Sequence, residues 1–450
     1  MRDEKKAWAI GVLVFLALAG LGHETWGTVD AIQRLALTKS LLLRQTVNTE
    51  AFGPIKYGIA QPILMLPTYG LGYAVGVLSH AAEPHRTGYR TTAFLFSPLL
   101  VALTCGVWYR TARRLGAAPA HACIGALTVA WCTMLLPYSR LLFSEPLNAF
   151  LCLLFAAELV RSEAGSDWSL GRAYGPLVVL SLNYVVFLPV LGAALAWFTL
   201  RAIQRDGLQS SWRPFLAGSM ALALTIGGWC WYNYARYGSP LQFGYAGETF
   251  NTPLSVGLFG LLVSPGRGIL FYSLPTVVAL ACCGALAVRR ASPRPLRAVS
   301  AWGLGLFLAY LALYATWGSF EGGWCWGPRF LIPFVPLLHF GILPIMQGWK
   351  RARHLLLGAL VVGFCVNAWE YAIEWQAYEK DTFGEGKIDY RRSVTELPYV
   401  AGLHGFAGWD SVVRLLQFVA IAGAVSYVLR RVVRSGVNPA EGRSLESGPY

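Results

Sequence analysis

Apolar stretches of membrane-crossing length recur along almost the whole chain, separated by short polar or basic connections. Each of about 17 to 25 residues is long enough to span a hydrocarbon core of roughly 30 Å as a helix. Crossings are predicted near 7–22, 91–109, 119–137, 144–160, 214–233, 269–288, 298–316, 330–348, 354–373 and 411–429. Between Arg172 and Arg201 the apolar run is interrupted by Asn183 and Pro189, which predicts a hairpin of two short helices. The pattern is therefore all-α and polytopic, with about twelve transmembrane helices (11 to 13) and both ends on one side. One stretch does not fit. A full crossing over 58–79 would reverse every later loop, and Pro62, Pro67, Gly70 and Gly72 suit a bent, re-entrant element as well as a crossing.

From Thr28 onward Val29, Ile32, Leu35, Ala36, Leu42 and Leu43 follow helical spacing, predicting an amphipathic interfacial helix capped by Thr28 in the first external loop. The stretch from Ala7 to Gly22 has no convincing cleavage site after it and is expected to be a retained first crossing.

Composition agrees with this pattern and adds orientation. The 450 residues are 55% hydrophobic and only 13% charged, half the charged share of a typical soluble domain. The net charge of +14 sits in short clusters between apolar segments, at 110–114, 201–205, 289–290, 350–353 and 430–434. That distribution marks cytoplasmic loops and argues against a nucleic-acid partner. With the clusters inside, segments 23–57, 138–145, 234–268, 317–329 and 374–410 face outward. Residues 1–435 then form one transmembrane domain in the cytoplasmic membrane, and 436–450 a disordered cytoplasmic tail. Eight of nine cysteines fall in apolar segments, Cys325 being the exception, and no metal-ligand spacing occurs.

Four outward features carry candidate chemistry. Asp30, in the first turn of the interfacial helix, either complements the helix dipole or acts on substrate. Glu145 in LPYSRLLFSEPLNAF follows Ser144, a candidate cap, and precedes Pro146. It is either a helix-start residue among headgroups or a carboxylate that takes a proton or a divalent cation. WYNYARYGSPLQFGY, 231–245, offers Tyr234 and Tyr237 within an aromatic belt, and the following SPGRG sets Arg267 between two glycines where an anion would fit. In GGWCWGPRFLIPFVPLL, 322–338, Pro328 is expected to start a helix with Arg329 in its first turn at the external mouth, beside free amides. There Arg329 meets a phosphate, reaches the interface, or pairs with Glu321.

Asp30 with LTKSLL, KYGIAQPILMLPTYGLG, YSRLLFSEPL, YNYARYGSPLQFGY with SPGRGILFYSLP, and GGWCWGPRFLIPFVPLL together resemble bacterial members of the GT-C superfamily of membrane glycosyltransferases. These are similar to the protein O-mannosyltransferases and the lipid A aminoarabinose transferases. The resemblance covers residues from about 20 to 345. It implies an inverting transfer from a polyprenyl-phosphate sugar to a glycan, lipid or protein acceptor on the external face. It also places Asp30 at the catalytic centre and Arg329 on the donor phosphate. Asp30 is followed by Ala31 where the commonest pattern has a second acid, so Glu145 becomes the second carboxylate. On this resemblance Arg267 and Lys56 add positive charge, and Tyr57, Gln61, Tyr234, Tyr237 and Glu321 line the pocket. A divalent cation, Mg²⁺ or Mn²⁺, would have only Asp30 and Glu145 as protein ligands. The loop 374–410 is expected to help bind the acceptor. Two other readings of the same pattern are a lipid or lipid-linked sugar flippase, and a polymerase or ligase of lipid-linked glycans.

Overall fold

The computed structural model describes residues 2–22, 28–165, 169–323, 325–348, 350–373 and 408–434. Most of loop 374–410, and the tail 436–450, lie outside the described residues. Among those described there is no strand, only an isolated bridge between Thr49 and Gly53. The helices are α1 (Arg2–Gly20), α2 (Val29–Arg44), α3 (Ala60–Leu78), α4 (Pro84–Arg114), α5 (Pro119–Trp131), α6 (Leu135–Tyr138), α7 (Glu145–Glu163), α8 (Leu170–Asn183) and α9 (Leu188–Asp206). They continue with α10 (Trp212–Tyr237), α11 (Leu254–Leu262), α12 (Ile269–Tyr272), α13 (Leu274–Val288), α14 (Arg294–Thr316), α15 (Val335–Leu338), α16 (Leu343–Gln347), α17 (Lys350–Ala372) and α18 (Gly408–Arg434). Seven helical segments among the described residues are long and apolar enough to cross a membrane. The chain is a multi-pass membrane protein.

The expected hairpin between Arg172 and Arg201 is α8 and α9, separated by a short 3-10 turn, with Pro189 in the first turn of α9. Asp3 and Glu4 of α1 pair with Arg113 and Arg110 of α4 at 3.2 and 3.4 Å, so α1 and α4 run antiparallel and share an end. That end carries the 110–114 cluster.

The segment 58–79, expected either to cross or to re-enter, is helical. α3 is one continuous helix of 19 residues despite Pro67. It packs on the half of α4 away from Arg110–Arg114: Gly72 lies against Thr87 and Thr91, and Thr68 is 3.4 Å from Thr92. α4, at 31 residues, is about 46 Å long and so exceeds the hydrocarbon core. α3 runs antiparallel to the first half of α4, away from its basic end.

Two further expectations change. Ser144 makes no capping bond to the start of α7, although Pro146 does occupy its first turn. The segment Arg329–Gln347 is not a uniform α-helix but alternates 3-10 turns with short α-helices α15 and α16. Pro333, Pro336 and Pro344 each remove an amide donor, which an unbroken i→i−4 ladder requires. The run is buried from Arg329 to Leu343, packed against α7, α13 and α14.

Candidate active site

α2 forms because Thr28 caps it, accepting a hydrogen bond from the Ala31 amide at 3.3 Å, and because its inner face, Ala31, Leu35, Leu37 and Thr38, is buried. This presents Asp30 inward from the first turn. Tyr57 donates its hydroxyl to Asp30 Oδ1 at 2.5 Å, and Arg329 Nη1 meets Oδ2 at 2.9 Å. Arg329 lies between the rings of Phe143 and Phe330, at 4.7 and 4.9 Å. It is 9% exposed, so it does not stand at an open mouth as expected, and it is paired with Asp30 and not held by helix amides. Gly322 is what brings it in: its φ is +79°, and a Cβ there would lie 3.1 Å from Arg329 Nε.

The electrostatics follow from these contacts. Burial pushes the Asp30 carboxyl up, but Arg329, Arg34 and the Tyr57 hydroxyl outweigh it and hold the group at about 2. Tyr57 is pushed above the usual phenol range by burial and by the Asp30 charge. At neutral pH the pair is therefore a carboxylate accepting from a neutral phenol.

A cavity of about 260 Å³ opens beside this pair. Its lining combines the polar Asp30, Arg329, Tyr57, Lys56 and Glu248 with the apolar and aromatic Val185, Val186, Leu313, Tyr314 and Trp317. Lys56 pairs with Glu248 at 2.5 Å and sits 5.3 Å from the Tyr245 ring. Its position is fixed by Gly58, where a Cβ would be 2.2 Å from the Leu182 carbonyl oxygen, so only glycine lets this strand of backbone lie on the end of α8.

The structure brings together Asp30, Tyr57, Lys56 and Arg329. Glu145, fully buried, stands behind the cavity wall, close enough to Arg329, Arg34 and Asp30 to feel their charge. Gln61 is buried too, but its side-chain amide is spent on the carbonyls of Leu142 and Phe143, at 3.2 and 3.4 Å. It fixes the segment that carries Glu145 and does not line the cavity. Arg267 is likewise a scaffold: its guanidinium binds the carbonyls of Cys325 and, at 2.8 Å, Gly323, which shapes the loop leading to Arg329. Cys325, expected in an exposed loop, is buried there. Tyr234 points outward at 64% exposure, and Tyr237 donates to the Ile55 carbonyl at 3.2 Å. Neither lines the cavity, because the last turns of α10 turn Trp231 and Tyr234 outward and Tyr232 inward. Glu321 is half-buried and is not among the cavity residues. Among the described residues no three His, Cys, Asp or Glu side chains converge as a metal site.

Tyr245, among the aromatics of 231–245 expected at the donor site, does line the cavity, whereas sequence reasoning missed Arg34, Tyr184, Glu248 and Trp317. For Arg34 the signal was present: it falls between Ala31, Leu35 and Thr38 on the buried face of α2. Glu248 gives no such signal, since only folding brings its loop against Lys56.

A multi-pass helical protein with a carboxylate–arginine pair beside a largely apolar cavity is the class that this fold and site define. No family model matches the chain, and no curated protein does. Among solved structures it is similar to ArnT from Cupriavidus metallidurans bound to undecaprenyl phosphate, with a TM-score of 0.55 and 16% identity over 95% of this chain and 73% of that one. The apo state of the same enzyme gives 0.50 and 17%, over 94% and 73%. The fold is thus ArnT-like.

Proposed function

We propose that this chain transfers a sugar from a polyprenyl-phosphate carrier to an acceptor on the external face of the cytoplasmic membrane, with inversion. The observation that supports this most is the mixed lining of the cavity. Lys56 and Arg329 supply cationic charge for a phosphate, and Val185, Val186 and Leu313 supply apolar surface for the first isoprene units. Undecaprenyl phosphate in the similar ArnT structure is a ligand that joins an anionic head to an apolar chain.

In this reading the donor phosphate competes with Asp30 for Arg329. The acceptor hydroxyl or amine attacks the anomeric carbon, the bond from that carbon to the phosphate oxygen breaks, and the carrier leaves as polyprenyl phosphate. Arg329 and Lys56 neutralise the charge that grows on the leaving phosphate. Asp30 accepts the hydrogen bond of the attacking group, orients it, and takes its proton as the new bond to the anomeric carbon forms. Paired with Arg329 it is a weak base; with Arg329 drawn to the phosphate, its basicity rises as the nucleophile is positioned.

A divalent cation fits poorly. Tyr57 and Arg329 already hold both Asp30 oxygens, and Asp30 with Glu145 makes only two carboxylates, so no step is routed through a metal. The test is transfer of labelled sugar by purified protein in lipid nanodiscs. Wild type is expected to glycosylate an acceptor and Asp30→Asn to lose at least about 100-fold in rate. Lipid-carrier movement between leaflets without transfer would replace this reading with a flippase.

A further inference from the structure

Arg34 is fully buried beside the site, at 1% exposure, and the reaction as described does not use it. None of its three guanidinium nitrogens has a hydrogen-bond partner among the described residues. A guanidinium without hydrogen bonds in such a place is costly, and packing alone is served equally well by methionine or leucine. Its contacts are of another kind. It stacks over the Tyr57 ring at 4.2 Å, and it stands one helical turn after Asp30 on α2. Both Asp30 and Glu145 feel its charge.

The charges facing Asp30 can be counted by element. The cations are Arg34 on α2, Lys56 before α3 and Arg329 at the start of the 3-10 run. The anions are Glu145 at the start of α7 and Glu248 beyond α10, and the phenols are Tyr57, Tyr184 and Tyr245. Lys56 is committed to Glu248, and Arg329 to Asp30. Once a donor phosphate draws Arg329 away, Asp30 and Glu145 are left beside a new anion. Arg34 is then the remaining cation within reach of both carboxylates, and it is too enclosed to follow the phosphate.

We propose that Arg34 is a positioning residue that keeps Asp30 ionised, and Tyr57 directed at it, while Arg329 serves the donor phosphate. It acts through Asp30 and touches no substrate. The proposal rests on the transfer reading above.

The experiment uses full-length protein in nanodiscs with Arg34→Met and Arg34→Lys. The acid limb of kcat is expected to move up by about one to two pH units in Arg34→Met and to return toward wild type in Arg34→Lys, while KM for the donor changes less than about threefold. A donor KM raised tenfold or more at unchanged kcat would overturn the proposal, making Arg34 a phosphate ligand. A pH profile superimposable on wild type, whatever the rate, would overturn it too. Infrared acid titration, with the Asp30 carboxyl band identified by its loss in Asp30→Asn, separates this from the transfer reading. If wild type transfers no sugar but the band still appears at higher pH in Arg34→Met, the charge role stands and the transfer reading fails. An unmoved band refutes the charge role itself.

Discussion

Asp30→Asn should destabilise the protein by an amount that depends on pH in a fixed direction. In the folded state the carboxyl is held at about 2 against an ordinary 3.8, a difference of about 2 kcal/mol in favour of the folded, ionised form. Both partners are mostly shielded, at 17% and 10% side-chain exposure for Asp30 and Arg329, so salt screens the pair weakly. Asparagine also leaves Arg329 buried without a counter-charge, which typically costs about 3 to 5 kcal/mol in a fully dry site. For a chain of 450 residues the per-residue unfolding entropy converts 1 kcal/mol into roughly 1 °C, so Tm in nanodiscs should fall by roughly 2 to 5 °C. A depressed carboxyl contributes its full stability above the unfolded value and loses it as pH falls through the folded one. The Tm gap between wild type and Asp30→Asn should therefore be constant from about pH 8 to pH 5 and close only as pH drops from about 4 toward 2. Arg329→Met should be less harmful in the Asp30→Asn background than alone, with a coupling of about 2 kcal/mol. Equal Tm values at neutral pH, or a gap that widens on acidification, would refute the ion pair and the depressed carboxyl together.

Four other outcomes follow from the same geometry. Arg329→Ala should raise KM for the donor at least about tenfold and that for the acceptor much less, as steady-state kinetics with each substrate varied will show; equal effects on both would count against a phosphate role. Glu370→Ala breaks a buried pair with Arg140 at 2.5 Å, so Tm should drop by a few degrees, whereas a change within about 1 °C would mean the pair is not formed. Gly58→Ala forces a Cβ onto the Leu182 carbonyl; activity should fall together with Tm, and an active, equally stable variant would show that the backbone at this point is free to shift. Chelation with EDTA should leave transfer unchanged, and loss of activity restored by Mg²⁺ would return a divalent cation to the mechanism.

Much of this was legible in the sequence because lipid imposes a simple code. Apolar length and basic punctuation placed the helices, and the 3.6-residue spacing after Thr28 predicted α2 and its cap. Asp30 and Arg329 were found because a charge next to a membrane segment requires a reason. What remained hidden depends on contacts between distant segments. A guanidinium lying 299 residues along the chain from its carboxylate cannot be paired with it by local pattern, so the sequence offers Arg329 a phosphate, the interface or Glu321 but not Asp30. The same limit hid the role of Arg267, whose Gly-Arg-Gly setting suggested an anion but whose partners are carbonyls. The proline-rich Arg329–Gln347 run read as a plain helix because hydropathy does not report lost amide donors. α3 was ambiguous for a related reason: apolar length allows a crossing or a re-entrant form, and only contacts between segments show that one face of α3 packs on α4 and on Thr38 and Leu42 of α2.

The most direct test of the central claim is binding of undecaprenyl phosphate to the purified protein, measured by native mass spectrometry or scintillation in nanodiscs, in wild type and in Arg329→Ala. Saturable binding that competes with a polyprenyl-phosphate sugar and weakens at least about tenfold in Arg329→Ala is the predicted result. Absence of saturable binding, or equal affinity in the two proteins, would contradict the assignment of this cavity to a polyprenyl-phosphate donor.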